Sequence, residues 1–172
     1  SICDTDGSMP HWFKEQHHNV LNLEFDDATN KITDAYVFVK ITYGSAWTYS
    51  ENTFSGKINN TGTAKLTTKI ETDNWTYLTS GNGYIVLVYT GTNSSNQITT
   101  GNLTDRNILD YSYPDASNTA NKKTILVSNT LSETDCEWIQ SHSSNFKLDF
   151  KAYAIQSEGF ADASAAWAKV SQ

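Results

Sequence analysis

Residues 35–43 read Ala-Tyr-Val-Phe-Val-Lys-Ile-Thr-Tyr, a run with a single charge in which both sets of alternate positions are largely apolar. On an extended strand Val37, Val39, Ile41 and Tyr43 share one face, and Tyr36 and Phe38 share the other. Water suits neither face. Such a strand belongs in the middle of a sheet that is covered on both sides, and the rest of the chain has to supply the cover.

Shorter runs surround it, most of them apolar on one face only. Leu21, Leu23 and Phe25 alternate with Asn22 and Glu24 and stop at the turn-prone stretch 26–30. Phe54, Gly56 and Ile58 make a weak strand. Beyond the turn at 59–62, Ala64, Leu66, Thr68 and Ile70 alternate with Lys65, Thr67 and Lys69, which predicts a hairpin with one wet face. Trp75, Tyr77 and Leu78 lead into Gly81-Asn82-Gly83, a turn that tolerates positive φ, and Tyr84–Tyr89 returns as a buried strand. A polar loop at 91–101 and short strands at 107–113 and 124–128 follow.

Thr134-Asp135-Cys136-Glu137 has the form of a capping box, so one or two helical turns are expected to carry Cys136 and Trp138. In the last strand Phe146, Leu148, Phe150, Ala152 and Ala154 alternate with Lys147, Asp149, Lys151 and Tyr153, and the first set is the expected inner face. At Gly159 the period changes. Ala163, Ala166, Trp167 and Val170 recur at helical spacing behind a natural N-cap, Asp162. About nine short strands at regular spacing predict an all-β fold, an antiparallel β-sandwich of jelly-roll-like connection with one or two short helices. At 172 residues this is one domain, residues 20–172, preceded by an N-terminal arm at 1–19.

The arm has no sustained pattern, yet it holds Ile2, Met9, Trp12 and Phe13. Burying side chains of this size is worth roughly 1.5–3 kcal/mol each, so they are candidate contacts to this domain or to a neighbouring subunit. A net charge of −7 argues against nucleic acid or an anionic lipid surface as partner. The longest apolar run, Tyr84–Tyr89, is far short of the roughly 20 residues of a membrane helix, and the chain reads as mature and soluble, with no signal peptide remaining.

Two cysteines occur, Cys3 and Cys136, with no Cys-x-x-Cys spacing. A single disulfide is the economical reading, and two buried free thiols the alternative. Within one chain the bridge closes a long loop, for which chain entropy gives on the order of 4–5 kcal/mol. Catalytic nominations are poor: there is no Gly-x-Ser-x-Gly elbow, no His-Glu-x-x-His motif, and no His beside either cysteine. No cofactor is called for with certainty. The acidic fragments Asp4-x-Asp6-Gly7 and Asp26-Asp27 are candidate calcium ligands or solvated turns, neither completing an EF-hand loop. Trp47, Tyr49, Trp75 and Tyr77 are a candidate sugar-stacking platform, the alternative being core or interface. Sequons at Asn59, Asn74, Asn93 and Asn102 mark surface loops and candidate glycosylation sites.

The ten residues 151–160, Lys-Ala-Tyr-Ala-Ile-Gln-Ser-Glu-Gly-Phe, followed by Ala163-Ser-Ala-Ala166-Trp167, resemble the closing segment of the TasA/camelysin family of secreted β-sandwich proteins. The segment before Leu21-x-Leu23 resembles the N-terminal region of that family. The resemblance implies a secreted structural subunit of an extracellular filament, pilus or tube. Such polymers grow head to tail by donor-strand complementation, one subunit's arm pairing with an exposed sheet edge of the next. Two other readings stay open, a surface carbohydrate-binding module and a camelysin-type secreted metallopeptidase. Cys3 then has two expected partners, Cys136 of its own chain or Cys136 of a neighbour.

Overall fold

The computed structural model describes residues 20–21, 34–60, 62, 64–90, 98–99, 106–110, 126–127 and 131–171. In chain order the strands begin with β1 (Val20–Leu21), β2 (Asp34–Tyr43), β3 (Trp47–Ser50), β4 (Thr53–Gly56), β5 (Leu66–Ile70) and β6 (Trp75–Gly81). They continue with β7 (Tyr84–Tyr89), β8 (Ile98–Thr99), β9 (Arg106–Asn107), β10 (Leu109–Asp110), β11 (Leu126–Val127) and β12 (Leu148–Gln156). Two short α-helices precede and follow β12 in the chain, α1 (Glu133–Ser141) and α2 (Ala163–Val170). The protein is all-β, as its pattern of short runs led us to expect, with two five-stranded antiparallel sheets and a two-stranded pair of β1 and β9.

The chain folds into two compact units. One takes Tyr43–Ile70 and Leu109–Leu148, and the other takes Val20–Thr42, Glu71–Ile108 and Asp149–Gln172.

In the first unit the strand order is β10-β5-β4-β3, with β11 also paired to β5. Trp47, Phe54, Leu66, Thr68 and Ile70 are buried, while Thr48, Ser50 and Lys69 are exposed, so the wet face of the expected β4–β5 hairpin is present. The partner of β4 on its other side, β3, was not expected. Its two-residue turn uses Glu51 (φ 47°) and Asn52 (φ 61°), both left-handed, and Glu-Asn does not spell the Asn-Gly signal that marks such turns. Trp47 sets its ring edge-on to Phe54 and Phe146, and its Nε1–H donates to the Phe146 carbonyl at 2.9 Å, so its polar atom is satisfied within the core. The backbone of Gly44 runs against residue 145, and a Cβ there would overlap the Asn145 carbonyl. Gly44 N–H donates to Lys147 O and Ala46 N–H to Asn145 O, each at 2.9 Å.

Helix α1 starts earlier than expected. The capping box is formed by Ser132 and Asp135 instead of Thr134 and Glu137: Asp135 N–H donates to Ser132 Oγ at 3.1 Å, and Ser132 N–H donates to Asp135 Oδ2 at 3.0 Å. Thr134 falls inside the first turn and is not the N-cap.

In the second unit the order is β12-β2-β7-β6, with β8 also paired to β2. Strand β2 is central, as its sequence demanded, and residues 35–39 are buried without interruption. Strand β7 is buried from Ile85 to Tyr89 and turns back from β6 through Asn82-Gly83, where Gly83 takes φ 76°. Tyr36, Phe38, Val86 and Val88 form one face, and helix α2 lies on it through Ala163 and Ala166, whose small side chains allow close approach. Trp167 completes the contact, 5.3 Å from the Phe38 ring and 5.2 Å from that of Tyr153. Asp162 caps the helix by accepting from Ala165 N–H at 2.9 Å, as expected.

Strand β12 has its expected orientation in the first half, where Leu148 is buried, as is Phe146 just ahead of it, and Asp149 and Lys151 are exposed, and corrects it in the second: Ala152 and Ala154 are exposed, and Tyr153 and Ile155 pack against the core beneath α2. Burying alanine gains little, whereas Tyr153 and Ile155 bring large apolar areas, so the helix covers the face with more to hide. Of the first expected strand, residues 22–25 lie outside the described residues, as do 111–113, 124–125 and 128 of the two later ones.

Candidate functional site

The nominated arm residues Ile2, Cys3, Met9, Trp12 and Phe13 lie outside the described residues. So do the candidate calcium ligands Asp4, Asp6, Asp26 and Asp27, and the sequon residues Asn93 and Asn102. Cys136, Asn59, Asn74 and the four aromatic residues lie within them.

Cys136 is disulfide-bonded and 5% exposed, and no free cysteine occurs among the described residues. It stands on the inner stripe of α1 between buried Asp135 and Ile139. Two contacts hold that helix to its sheet. Lys65, just ahead of β5, donates to Asp135 Oδ2 at 2.5 Å, and Trp138 sets its ring edge-on to Phe146 at 5.7 Å. Burial pushes the Asp135 carboxyl up, but the bond from Lys65, those made with Ser132 and the nearby Lys65 charge outweigh it and hold the group below the ordinary aspartate range. At the other end of α1 the His142 ring stacks on Trp138 at 4.2 Å, with Nδ1 2.9 Å from the Trp138 carbonyl.

The two described sequons differ. Asn59 is exposed with φ 58°, whereas Asn74 is half-buried and its side-chain amide donates to Glu71 Oε2 at 2.8 Å. The aromatic residues do not make a platform. Trp47 and Trp75 are 2% and 1% exposed, which takes both indole faces out of reach of a sugar, and only Tyr77 of the four is well exposed, at 42%. Trp75 instead packs edge-on to Tyr89 at 5.4 Å. Among the described residues no three His, Cys, Asp or Glu side chains gather where they could hold a metal ion, and no helix is long and apolar enough to cross a membrane.

Sheet edges remain, and they are the most distinctive surface. An edge strand presents a row of unpaired N–H and C=O groups on which another strand can build. Among the described residues β3 has only β4 beside it, β6 only β7, and β12 only β2. The first is four residues long, and the second is interrupted by a register shift between Tyr77 and Thr79, a bulge of the kind that blunts an edge. Strand β12 is nine residues long.

Along β12, Asp149, Lys151, Ala152, Ala154 and Gln156 are exposed, and Phe150, Tyr153 and Ile155 are half-buried. Neither Asp149 nor Lys151 has an ion-pair partner among the described residues, the pair found there being Lys65 with Asp135. Lys151 Nζ rests 5.2 Å from the Tyr153 ring centroid. Such an edge offers backbone bonds for affinity and alternate side chains for selection. Sequence reasoning missed it, although the two charges in an otherwise apolar strand were a usable sign of an edge. No known protein family, curated protein or solved structure matches this chain.

Proposed function

We propose that the protein is a structural subunit of an extracellular filament, pilus or tube, assembled head to tail by donor-strand complementation. The observation that carries this reading is the nine-residue edge strand β12, bare on one side among the described residues. Proteins usually shorten, bend or cover such an edge because it recruits other strands, and an assembling subunit has reason to keep it open. The arm supplies the other half. Its Trp12 and Phe13 are costly in water, and a strand added to a neighbour's sheet buries them. A contact between two different surfaces of identical subunits propagates as a filament unless its rotation closes a ring. The resemblance of residues 151–160 and 163–167 to secreted fibre-forming proteins supports the same reading. In it the chain is its own partner and has no catalytic role.

Negative-stain microscopy of the purified protein tests the reading. Fibres or tubes are expected from the full chain. Protein lacking residues 1–19 should keep its β circular-dichroism spectrum and form none. Dispersed particles from the full chain at every concentration, with and without calcium, would overturn the proposal.

A further inference from the structure

We infer that the side of β12 that is bare among the described residues accepts residues 10–18 of a second copy, running antiparallel, with His18 opposite Leu148 and Pro10 opposite Gln156. The inference rests on the filament reading and adds to it the edge, the segment and the register.

Residues directly opposite one another in a strand pair share a face of the sheet, so one register fixes every pairing. In this one His17 meets Asp149, Glu15 meets Lys151 and Phe13 meets Tyr153 on the face that α2 partly covers. On the other face Gln16 meets Phe150, Lys14 meets Ala152 and Trp12 meets Ala154.

Charge and hydrogen bonding select this register. Asp149 and Lys151 are exposed and two residues apart, and the arm holds a hydrogen-bond donor for the first, His17, and an opposite charge for the second, Glu15, two residues apart in the reverse order. Only an antiparallel strand satisfies both pairs. Sliding the arm by two residues sets Glu15 against Asp149 or takes Glu15 away from Lys151. A slip of one sets Lys14 against Lys151, or leaves Lys151 facing neutral Gln16. Size agrees with charge. The exposed alanines leave room on β12, and the register lays the largest arm side chain, Trp12, over Ala154 and the aliphatic stem of Lys14 over Ala152. Pro10 falls at the end of the paired stretch, where its missing N–H interrupts no ladder.

Cysteine pairs read the register. Opposite Cα atoms in an antiparallel pair lie about 4.5–5.5 Å apart, within the range a disulfide spans, so fibres grown from equal parts of Lys14→Cys and Ala152→Cys protein should give a reductant-sensitive dimer. Fibres of Lys14→Cys with Ala154→Cys should not, because those positions are out of register. Charge reversal gives a second reading. Lys151→Glu turns an attractive cross-strand pair repulsive and should slow polymerisation about tenfold, and Glu15→Lys in the same chain should restore the rate to within about twofold. Cross-linking of Lys14→Cys to Thr76→Cys on β6, or growth of Lys151→Glu fibres at the wild-type rate, overturns the assignment while leaving the filament reading intact. A bond formed inside single, unassembled chains carrying both Lys14→Cys and Ala152→Cys overturns the second copy as the occupant. If wild-type protein forms no fibres at all, it is the filament reading that falls.

Discussion

Asp135 serves three neighbours at once: it closes the capping box of α1, accepts from Lys65, and occupies a largely buried position beside the disulfide-bonded Cys136. Replacing it with Asn keeps the shape and removes the charge, which should cost about 1 kcal/mol of stability. The acid dependence has a definite sign. The folded carboxyl titrates below its ordinary value of 3.8, so the charged form stabilises the fold fully above that pH, and the contribution is lost as pH falls from there through the folded value. Thermal melting followed downward from about pH 5 should therefore show a steeper loss in wild type than in Asp135→Asn, the two curves converging in acid. Gly44 makes a different demand. Its neighbour is the main chain of Asn145, which cannot swing aside, so Gly44→Ala should lose about 1–3 kcal/mol in denaturant titration.

At the scale of elements, the β3–β4 hairpin holds two non-glycine residues in the left-handed region. Asn52 has reasons to be there, since its side-chain oxygen accepts from the Tyr49 hydroxyl at 3.2 Å and its carbonyl from Ile70 N–H at 2.8 Å. Glu51 is exposed, and its carbonyl accepts from the Thr53 hydroxyl at 3.4 Å. Relief of left-handed strain outweighs the entropy that glycine adds to the unfolded chain, and Glu51→Gly should raise stability by about 0.5–1 kcal/mol in the same titration. The turn also shows where sequence reading stops. Strands β2 and β7 were legible because two apolar faces leave no other place for them, and α2 because its period and cap agree. Strand β3 was not, since four residues and a Glu-Asn turn carry too little local signal. The inner face of the second half of β12 was misread because alternation says that two faces differ, while the helix that covers one of them there is a separate element. That β12 lies at an edge among the described residues depends on which strands pair across more than a hundred residues of chain, and propensity holds no record of that. The candidate site was therefore legible in its parts, the charges of β12 and the apolar residues of the arm, and illegible as a place.

At the scale of the whole molecule, the disulfide of Cys136 sets how an assembly should behave in detergent. A bond formed during folding needs no partner subunit, so boiled, unreduced fibres should run as monomers on a gel. A ladder that collapses on reduction would show bonds between subunits instead. The position of β12 in the chain has a consequence in time. Synthesis runs from the N-terminus, so β2, β6 and β7 leave the ribosome while Leu148–Gln156 has yet to be made. During that interval the flank of β2 that β12 will occupy is bare, and it belongs to a strand whose residues 35–39 are all buried in the finished protein. Chains ending at Lys147 should therefore collect as amorphous, light-scattering aggregates under conditions in which the complete chain does not. In the proposed filament each chain gains its receiving strand as the last strand of its own sheet, so growth would have to wait until each member has finished folding.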